Sequence, residues 1–149
     1  MEVREKWEYQ VESPEEMIDL GERVAKQLVA GDVLALCGGL GAGKTHFTKG
    51  VAIGLGCLGE VTSPTFSLAH EYRGGRLSLY HFDFYRMESE QEVLRIGWDE
   101  YLDEAGVIVV EWPDKFSSLL PEGAIWIELK AMSGGTAKKG VRSVSSVRV

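Results

Sequence analysis

A glycine-rich octapeptide, GGLGAGKT at residues 38–45, constrains the fold of this chain more than any other feature of its sequence. It matches the pattern G-x-x-x-x-G-K-[ST] at every fixed position. An apolar run, VLALC, precedes it, and the pattern predicts a helix from about Lys44 to Leu55 after it. A buried strand, a glycine-rich turn and a helix in this order are typical of the phosphate-binding loop of P-loop NTPases.

The residue types of this motif suit polyphosphate and magnesium. Glycines allow positive φ and a close approach of the backbone, so that successive N–H groups can surround an anion. The helix that starts here adds the positive end of its dipole. Lys44 would neutralise phosphate oxygens, and the Thr45 hydroxyl is a hard ligand for Mg²⁺. The predicted phosphate-binding residues are Gly38, Gly39, Leu40, Gly41, Ala42, Gly43, Lys44 and Thr45.

Acidic residues at the ends of two other apolar runs are candidates to complete the site. Glu111 follows VIVV, in the position where a P-loop ATPase usually holds its magnesium through an acid; a plain strand end with an exposed acid would show the same pattern. Asp83 ends a second run and could orient the attacking water or a metal-bound water, or could be a surface carboxylate paired with Arg86. Trp112 could stack on a base, contact a partner protein or belong to the core, and its spacing does not choose among these.

A hydroxyl-rich segment, Thr62-Ser63-Pro64-Thr65, follows the P-loop helix. Such a segment can reach the γ-phosphate and change its order on hydrolysis. An ordinary proline turn explains the same residues. The sequence leaves both interpretations open.

The remaining pattern predicts a three-layer α/β fold with a mostly parallel central sheet, antiparallel edge strands and flanking helices. Strands are predicted at 6–11, 33–37, 66–72, 77–82, 107–110, 125–129 and 141–149. Ser13 is predicted to cap a helix that ends at Gly31-Asp32. Further helical segments are predicted at 44–55, 89–96 and 113–120, and residues 60–65 are predicted to be a loop.

Composition narrows the function classes. The 149 residues fit one domain, 1–149, with 131–149 as a basic loop and probable edge strand. The net charge of −7 argues against direct DNA binding, which needs clustered cations. No apolar run approaches a membrane span, and the charged N-terminus does not resemble a secretory signal. With two cysteines and no Cys-x-x-Cys pair, we expect reduced thiols and a cytoplasmic location.

Taken together, four motifs resemble one family. In order they are GLGAGKT, TSPTF, HFDFYR and VEW, and this series resembles the TsaE (YjeE) family, the ATPase component of bacterial N6-threonylcarbamoyladenosine (t6A) tRNA modification. The resemblance extends from about Val11 to Leu129, most of the chain.

The resemblance implies a set of partners. The family works with TsaB and TsaD, and TsaD transfers the threonylcarbamoyl group to adenosine 37 of tRNAs that read ANN codons. The family member itself binds and hydrolyses ATP, weakly when isolated, and its cycle resets the complex between turnovers. Contact with tRNA is then indirect, through the complex.

The resemblance also implies residue roles. Lys44 would hold the phosphates, Thr45 and Glu111 would hold Mg²⁺, and Asp83 would be required for hydrolysis. The nucleotide-binding set then also includes His46, Ser63, Thr65 and Trp112.

Three other function classes share features with this sequence. A regulatory GTPase needs Asn-Lys-x-Asp, and the chain has no asparagine. A small-molecule kinase stays open: such enzymes often cover the transferred phosphoryl group with arginines, and the close arginine pair here, Arg73 and Arg76, flanks a glycine turn. A protein-binding module regulated by nucleotide stays open, since a nucleotide cycle can act by changing affinity for a partner.

Overall fold

The computed structural model describes residues 2–39, 42–62, 69–131 and 141–148. In this part of the chain eight strands and four α-helices are present. The strands are β1 Glu8–Val11, β2 Val33–Cys37, β3 Gly59–Thr62, β4 Ala69–Arg73, β5 Ser78–Asp83, β6 Gly106–Glu111, β7 Ile125–Ala131 and β8 Arg142–Arg148. The helices are α1 Pro14–Ala25, α2 Lys44–Leu55, α3 Glu90–Arg95 and α4 Trp98–Asp103, with 3₁₀ helices at Phe84–Arg86 and Pro113–Leu119.

All eight described strands belong to one sheet, in the order β1-β8-β7-β2-β6-β5-β4-β3. The four central strands, β7, β2, β6 and β5, run parallel to one another. The outer pairs are antiparallel on both sides. The predicted mixed α/β fold with a central parallel sheet is therefore confirmed. Because the carboxyl ends of parallel strands lie along one edge, residues that follow β2, β5 and β6 come together there.

Helices cover both faces of this sheet, which gives three layers. Alternate residues of a strand point to opposite faces, so β2 sends Leu34 and Leu36 to one core and Val33 and Ala35 to the other. The first core is closed by α1 and α2, and the second by α3, α4 and the 3₁₀ helix at Pro113–Leu119. Residues that close the first core are Met17, Leu20, Phe47 and Val51; those that close the second are Val93, Trp98 and Phe116.

Glycines let α1 and α2 approach closely. A Cβ at Gly50 would lie 2.1 Å from the Ile18 carbonyl oxygen, and one at Gly21 would lie 2.3 Å from the Phe47 carbonyl oxygen. Backbone therefore packs directly on backbone between these helices. This contact fixes α2, whose first turn carries Lys44 and Thr45, against α1.

Two predicted elements differ from the structure, and one helix was not predicted. Helix α1 ends at Ala25, and the chain continues in a turn whose carbonyls at Ala25 and Leu28 accept hydrogen bonds from Arg76. Residues 60–62 of the loop predicted at 60–65 belong to edge strand β3, because backbone pairing with β4 organises them. Helix α4 was not predicted; Gly97, at φ 102°, separates it from α3 and lets Trp98 turn into the core.

No helix in the described ranges is long and apolar enough to cross a bilayer.

Candidate functional site

A cleft of about 380 Å³ lies where the carboxyl ends of β5 and β6 meet the first turn of α2. Residues from distant parts of the sequence share it because the strand order places these ends side by side. Its lining residues are Ser13, Pro14, Met17, Ala42, Gly43, Lys44, Thr45, His46, Asp83, Tyr85, Glu111, Trp112 and Arg142.

Two glycines of the motif occupy positions that disfavour any larger residue. Gly38 has φ 154°, and a Cβ there would lie 2.6 Å from the Leu129 carbonyl oxygen. Gly43 has φ 100°, and its Cβ would lie 2.7 Å from Cε of Met17. Glycine avoids both the steric contact and the strain of positive φ. Gly38 and Gly43, at the two ends of the predicted glycine-rich turn, thus have the positive φ expected there.

Lys44 is buried, with 6% of its side chain exposed. Its Nζ donates to the Gly38 carbonyl oxygen at 2.7 Å and lies 4.1 Å from the centroid of the Trp112 ring. Its nearest carboxylate in the described structure, Glu111, is 3.9 Å away. Burial lowers the pKa of the ammonium, while the carboxylates of Glu111 and Asp83 oppose that shift. The charge of Lys44 is therefore held by a carbonyl and a ring, with only a loose ion pair.

Glu111 ends β6 and points into the cleft with 12% of its side chain exposed. Its Oε2 accepts a hydrogen bond from Nε2 of His81 at 2.6 Å, and its Oε1 faces Lys44. Burial raises the pKa of this carboxyl, but the hydrogen bond from His81 and the charges of His81 and Lys44 outweigh it. The net pKa lies below the usual range for glutamate, so Glu111 is ionised at neutral pH.

Asp83 ends β5 directly beside Glu111, since the two are paired in the register of the parallel strands. One of its carboxylate oxygens accepts the Tyr85 backbone N–H at 3.1 Å and so caps the 3₁₀ helix Phe84–Arg86. The carboxylate also lines the cleft. Two acids from neighbouring strands thus face the same space as Lys44.

The first turn of α2 exposes Thr45 and His46 to the cleft. The Thr45 hydroxyl and the Glu111 carboxylate are both hard oxygen donors, the kind that magnesium binds through one or two protein ligands. Thr48, one turn further, donates its hydroxyl to the Lys44 carbonyl inside the helix at 2.9 Å. The donor set on the cleft side therefore fits Mg²⁺ better than a soft metal.

Trp112 has a left-handed backbone conformation, φ 56° and ψ 49°. Among the described residues it is the one non-glycine with positive φ. Such strain clusters at functional sites. The turn carries the indole over Lys44, and the ring also packs on Tyr85, with centroids 5.1 Å apart.

Comparison with known proteins gives the family. Residues 11–139 match the family model described as "Threonylcarbamoyl adenosine biosynthesis protein TsaE". The chain belongs to the TsaE family.

Individual relatives agree with the TsaE assignment. A Bacillus subtilis protein named "tRNA threonylcarbamoyladenosine biosynthesis protein TsaE" is 48% identical over 79% of this chain and 73% of its own length. A Streptomyces coelicolor protein of the same name is 42% identical over 87% of this chain and 88% of its own length. The crystal structure of YdiB from B. subtilis superposes with a TM-score of 0.76 at 36% identity, covering 95% of this chain and 84% of that one.

The structure brings most predicted site residues of this TsaE family member together. Ala42, Gly43, Lys44, Thr45, His46, Asp83, Glu111 and Trp112 line the one cleft, and Gly38 contacts Lys44. Gly39 lies in the same loop, with its carbonyl accepting the Ala42 N–H at 3.2 Å. Leu40, Gly41, Ser63 and Thr65 lie outside the described residues, and their roles stay predictions.

Several cleft residues were not predicted. His81, which does not line the cleft but hydrogen-bonds Glu111, was not predicted either; it shares a strand face with Asp83 at i and i+2, and only the register with β6 shows that it meets Glu111. Pro14 and Met17 of α1 and its N-cap residue, Ser13, reach the cleft, and Arg142 reaches it from β8. These four come from elements that no motif connects to the P-loop, so sequence spacing could not find them.

Proposed function

We propose that this TsaE family member is a magnesium-dependent P-loop ATPase that supports formation of the threonylcarbamoyl group at adenosine 37 of tRNAs that read ANN codons. It acts on the TsaB–TsaD pair by binding and hydrolysing ATP, and it is not the transferase. The names of its relatives support the pathway. The cleft supports the chemistry.

One observation carries the ATPase proposal. The buried ammonium of Lys44, the exposed hydroxyl of Thr45 and the carboxylates of Asp83 and Glu111 all face one cleft at the start of α2. A polyphosphate needs positive charge and backbone N–H groups, and its magnesium needs hard oxygens. These are the groups that α2, β5 and β6 contribute.

Each residue then has a task. Lys44 and the first turn of α2 bind and orient the phosphate oxygens. Thr45 and Glu111 would hold Mg²⁺, which when bound supplies positive charge against the phosphoryl oxygens. Asp83, beside Glu111, is placed to accept a proton or a hydrogen bond from water. Trp112 covers Lys44 and limits the access of bulk water to it.

The proposed partners follow from the family and fit the charge of the chain. A net charge of −7 disfavours direct binding to a polyanion, so contact with tRNA through TsaB–TsaD agrees better with the sequence than direct contact. A cytoplasmic location is proposed with it.

The test compares Lys44→Ala with Lys49→Ala in a reconstituted system. Lys49 is an exposed lysine of the same helix, so its loss removes one charge without touching the cleft residue under test. With TsaB–TsaD, tRNA and threonylcarbamoyl-AMP, we expect Lys44→Ala to abolish ATP-dependent t6A formation and phosphate release, and Lys49→Ala to retain both. Full modification by Lys44→Ala would refute the proposal.

The same assay separates the rival functions. Label from γ-³²P-ATP is expected in free phosphate; label on a small acceptor would instead make the protein a kinase. If a slowly hydrolysed ATP analogue supports repeated rounds of t6A formation, the nucleotide acts only as a regulatory ligand. Both readouts use the full chain and the intact complex.

A further inference from the structure

The carboxylate of Glu111 has a second partner besides Lys44. His81 lies on β5, and the register pairs it with Val109, two residues before Glu111 on β6. In neighbouring strands such diagonal positions share a face and lie within reach of long side chains. His81 and Glu111 therefore meet on the face of the sheet that α2 covers.

The contact between them is short and sheltered. Nε2 of His81 lies 2.6 Å from Oε2 of Glu111, and the two side chains are 15% and 12% exposed. An ionised carboxylate only accepts hydrogen bonds, so Nε2 carries the hydrogen. Oε1, the other oxygen, faces Nζ of Lys44 at 3.9 Å. The two oxygens of one carboxylate thus have separate partners.

This arrangement restricts Glu111. A glutamate side chain has three rotatable bonds, and ordering it costs conformational entropy. The bond to His81 fixes Oε2 and so directs Oε1 toward Lys44 and the cleft. His70, paired with His81 across β4 and β5, packs with its ring centroid 6.1 Å from that of His81 and helps to hold the ring.

We propose that His81 is a positioning residue for Glu111, which keeps Oε1 turned to the metal side of the cleft. The proposal rests on the proposed function, since it needs Glu111 to hold the divalent ion. Hydrogen-bonding partners of metal ligands orient those ligands, and their loss typically lowers metal affinity about 10–100-fold. His81 is in this sense part of the magnesium site without touching the metal.

The test measures metal binding directly. Mn²⁺ serves as the probe, and its free concentration is read by electron paramagnetic resonance in the presence of saturating ADP. We expect His81→Ala to weaken Mn²⁺ binding about 10–100-fold. The affinity for ADP in EDTA, which depends on Lys44 and the loop, should stay within about twofold of wild type.

Two conservative variants separate positioning from packing. The amide nitrogen of glutamine reaches about the place of Nε2, whereas that of asparagine reaches about the place of Nδ1. His81→Gln should therefore restore Mn²⁺ binding and His81→Asn should not. Thermal melts identify any variant that fails to fold. If His81→Ala fails to fold, the comparison of His81→Gln with His81→Asn still tests the proposal.

The outcomes distinguish this inference from the proposed function. Wild-type Mn²⁺ affinity in His81→Ala, or equal recovery by Gln and Asn, would overturn the positioning role and leave the ATPase proposal intact. Failure of the wild-type protein to bind ADP with Mn²⁺ would overturn both. Weaker Mn²⁺ binding in His81→Ala and His81→Asn, with binding restored in His81→Gln, would support the positioning role.

Discussion

Replacing Trp112 by glycine and by alanine gives two proteins that both lack the indole and differ mainly in the cost of the backbone conformation. Both lose the contacts of the ring with Lys44 and Tyr85. At φ 56° and ψ 49° an L-residue is in the left-handed region, which costs about 1–2 kcal/mol that glycine does not incur. We therefore expect the glycine variant to be the more stable of the two.

The expected difference follows from two opposing terms. Glycine relieves about 1–2 kcal/mol of strain in the folded state. It also makes the unfolded chain more flexible than alanine does, which costs about 0.4–1 kcal/mol of stability. The balance favours Trp112→Gly by roughly 0.5–1 kcal/mol, or about 1–4 °C in melting temperature for a chain of this size. The sign is the opposite of that at ordinary positions.

Equilibrium unfolding in urea measures both free energies, and equal m-values show that the comparison is two-state. Lys49→Ala and Lys49→Gly, in the exposed interior of α2, are the matched pair. There alanine should be more stable by about 1 kcal/mol, because helix propensity governs the site. If Trp112→Ala were as stable as Trp112→Gly or more so, the assignment of backbone strain to Trp112 would be refuted.

Three further predictions concern stability. Gly50→Ala should destabilise the protein by about 1–3 kcal/mol in urea unfolding, because its Cβ would meet the Ile18 carbonyl oxygen at 2.1 Å. Ser13→Ala should cost about 1 kcal/mol, since the hydroxyl accepts the N–H three residues on and caps α1. Glu71→Gln should make stability depend less on pH in the acid range. In the wild type, burial raises the pKa of the Glu71 carboxyl, but its hydrogen bonds outweigh burial and hold the pKa below its ordinary 4.5. Ionised Glu71 therefore stabilises the wild type above pH 4.5, and this stabilisation is lost as the pH falls through the folded-state pKa.

Each of these three has a control. Gly123→Ala, where no atom lies within 4 Å of the added Cβ, should leave stability nearly unchanged, and an equal loss at Gly50 and Gly123 would contradict the packing argument. Ser13→Thr keeps a capping hydroxyl and should recover most of the loss. For the third, Tyr101→Phe removes the 2.6 Å hydrogen bond to Glu71 and should also make stability depend less on pH in the acid range; parallel curves for wild type and both variants would contradict it.

The sequence was sufficient to predict the site residues that lie at the carboxyl ends of the parallel strands and at the start of α2. Lys44 and Thr45 begin a helix after a buried strand, and the predicted bounds 44–55 are those of α2. Asp83 and Glu111 each end an apolar strand, and parallel strands deliver such ends to one edge of a sheet. The cleft that joins these four residues was therefore predictable once the central strands were taken as parallel.

The rest depended on information that spacing does not contain. The contact between His81 and Glu111 requires the register of β5 against β6, because a shift by one residue would send His81 to the other face. The left-handed turn at Trp112 has no glycine to indicate it. Edge strand β3 is defined by its pairing with β4, and Arg142 joins the cleft through β8, two strands away from β2 in the sheet.

The partners of Lys44 bear on how the proposed ATPase would bind its nucleotide. A buried ammonium in a tight ion pair would have to break that pair before a phosphate could bind, at a cost of several kcal/mol in a site of low polarity. Here the short contact of Nζ is to the Gly38 carbonyl of its own loop, and the carboxylate of Glu111 stands 3.9 Å away. A phosphate oxygen would therefore replace a neutral acceptor at Nζ and leave Glu111 ionised for the metal. In the proposed site, the hydrogen bond from His81 occupies Oε2 of Glu111 and leaves Oε1 facing the cleft for the metal.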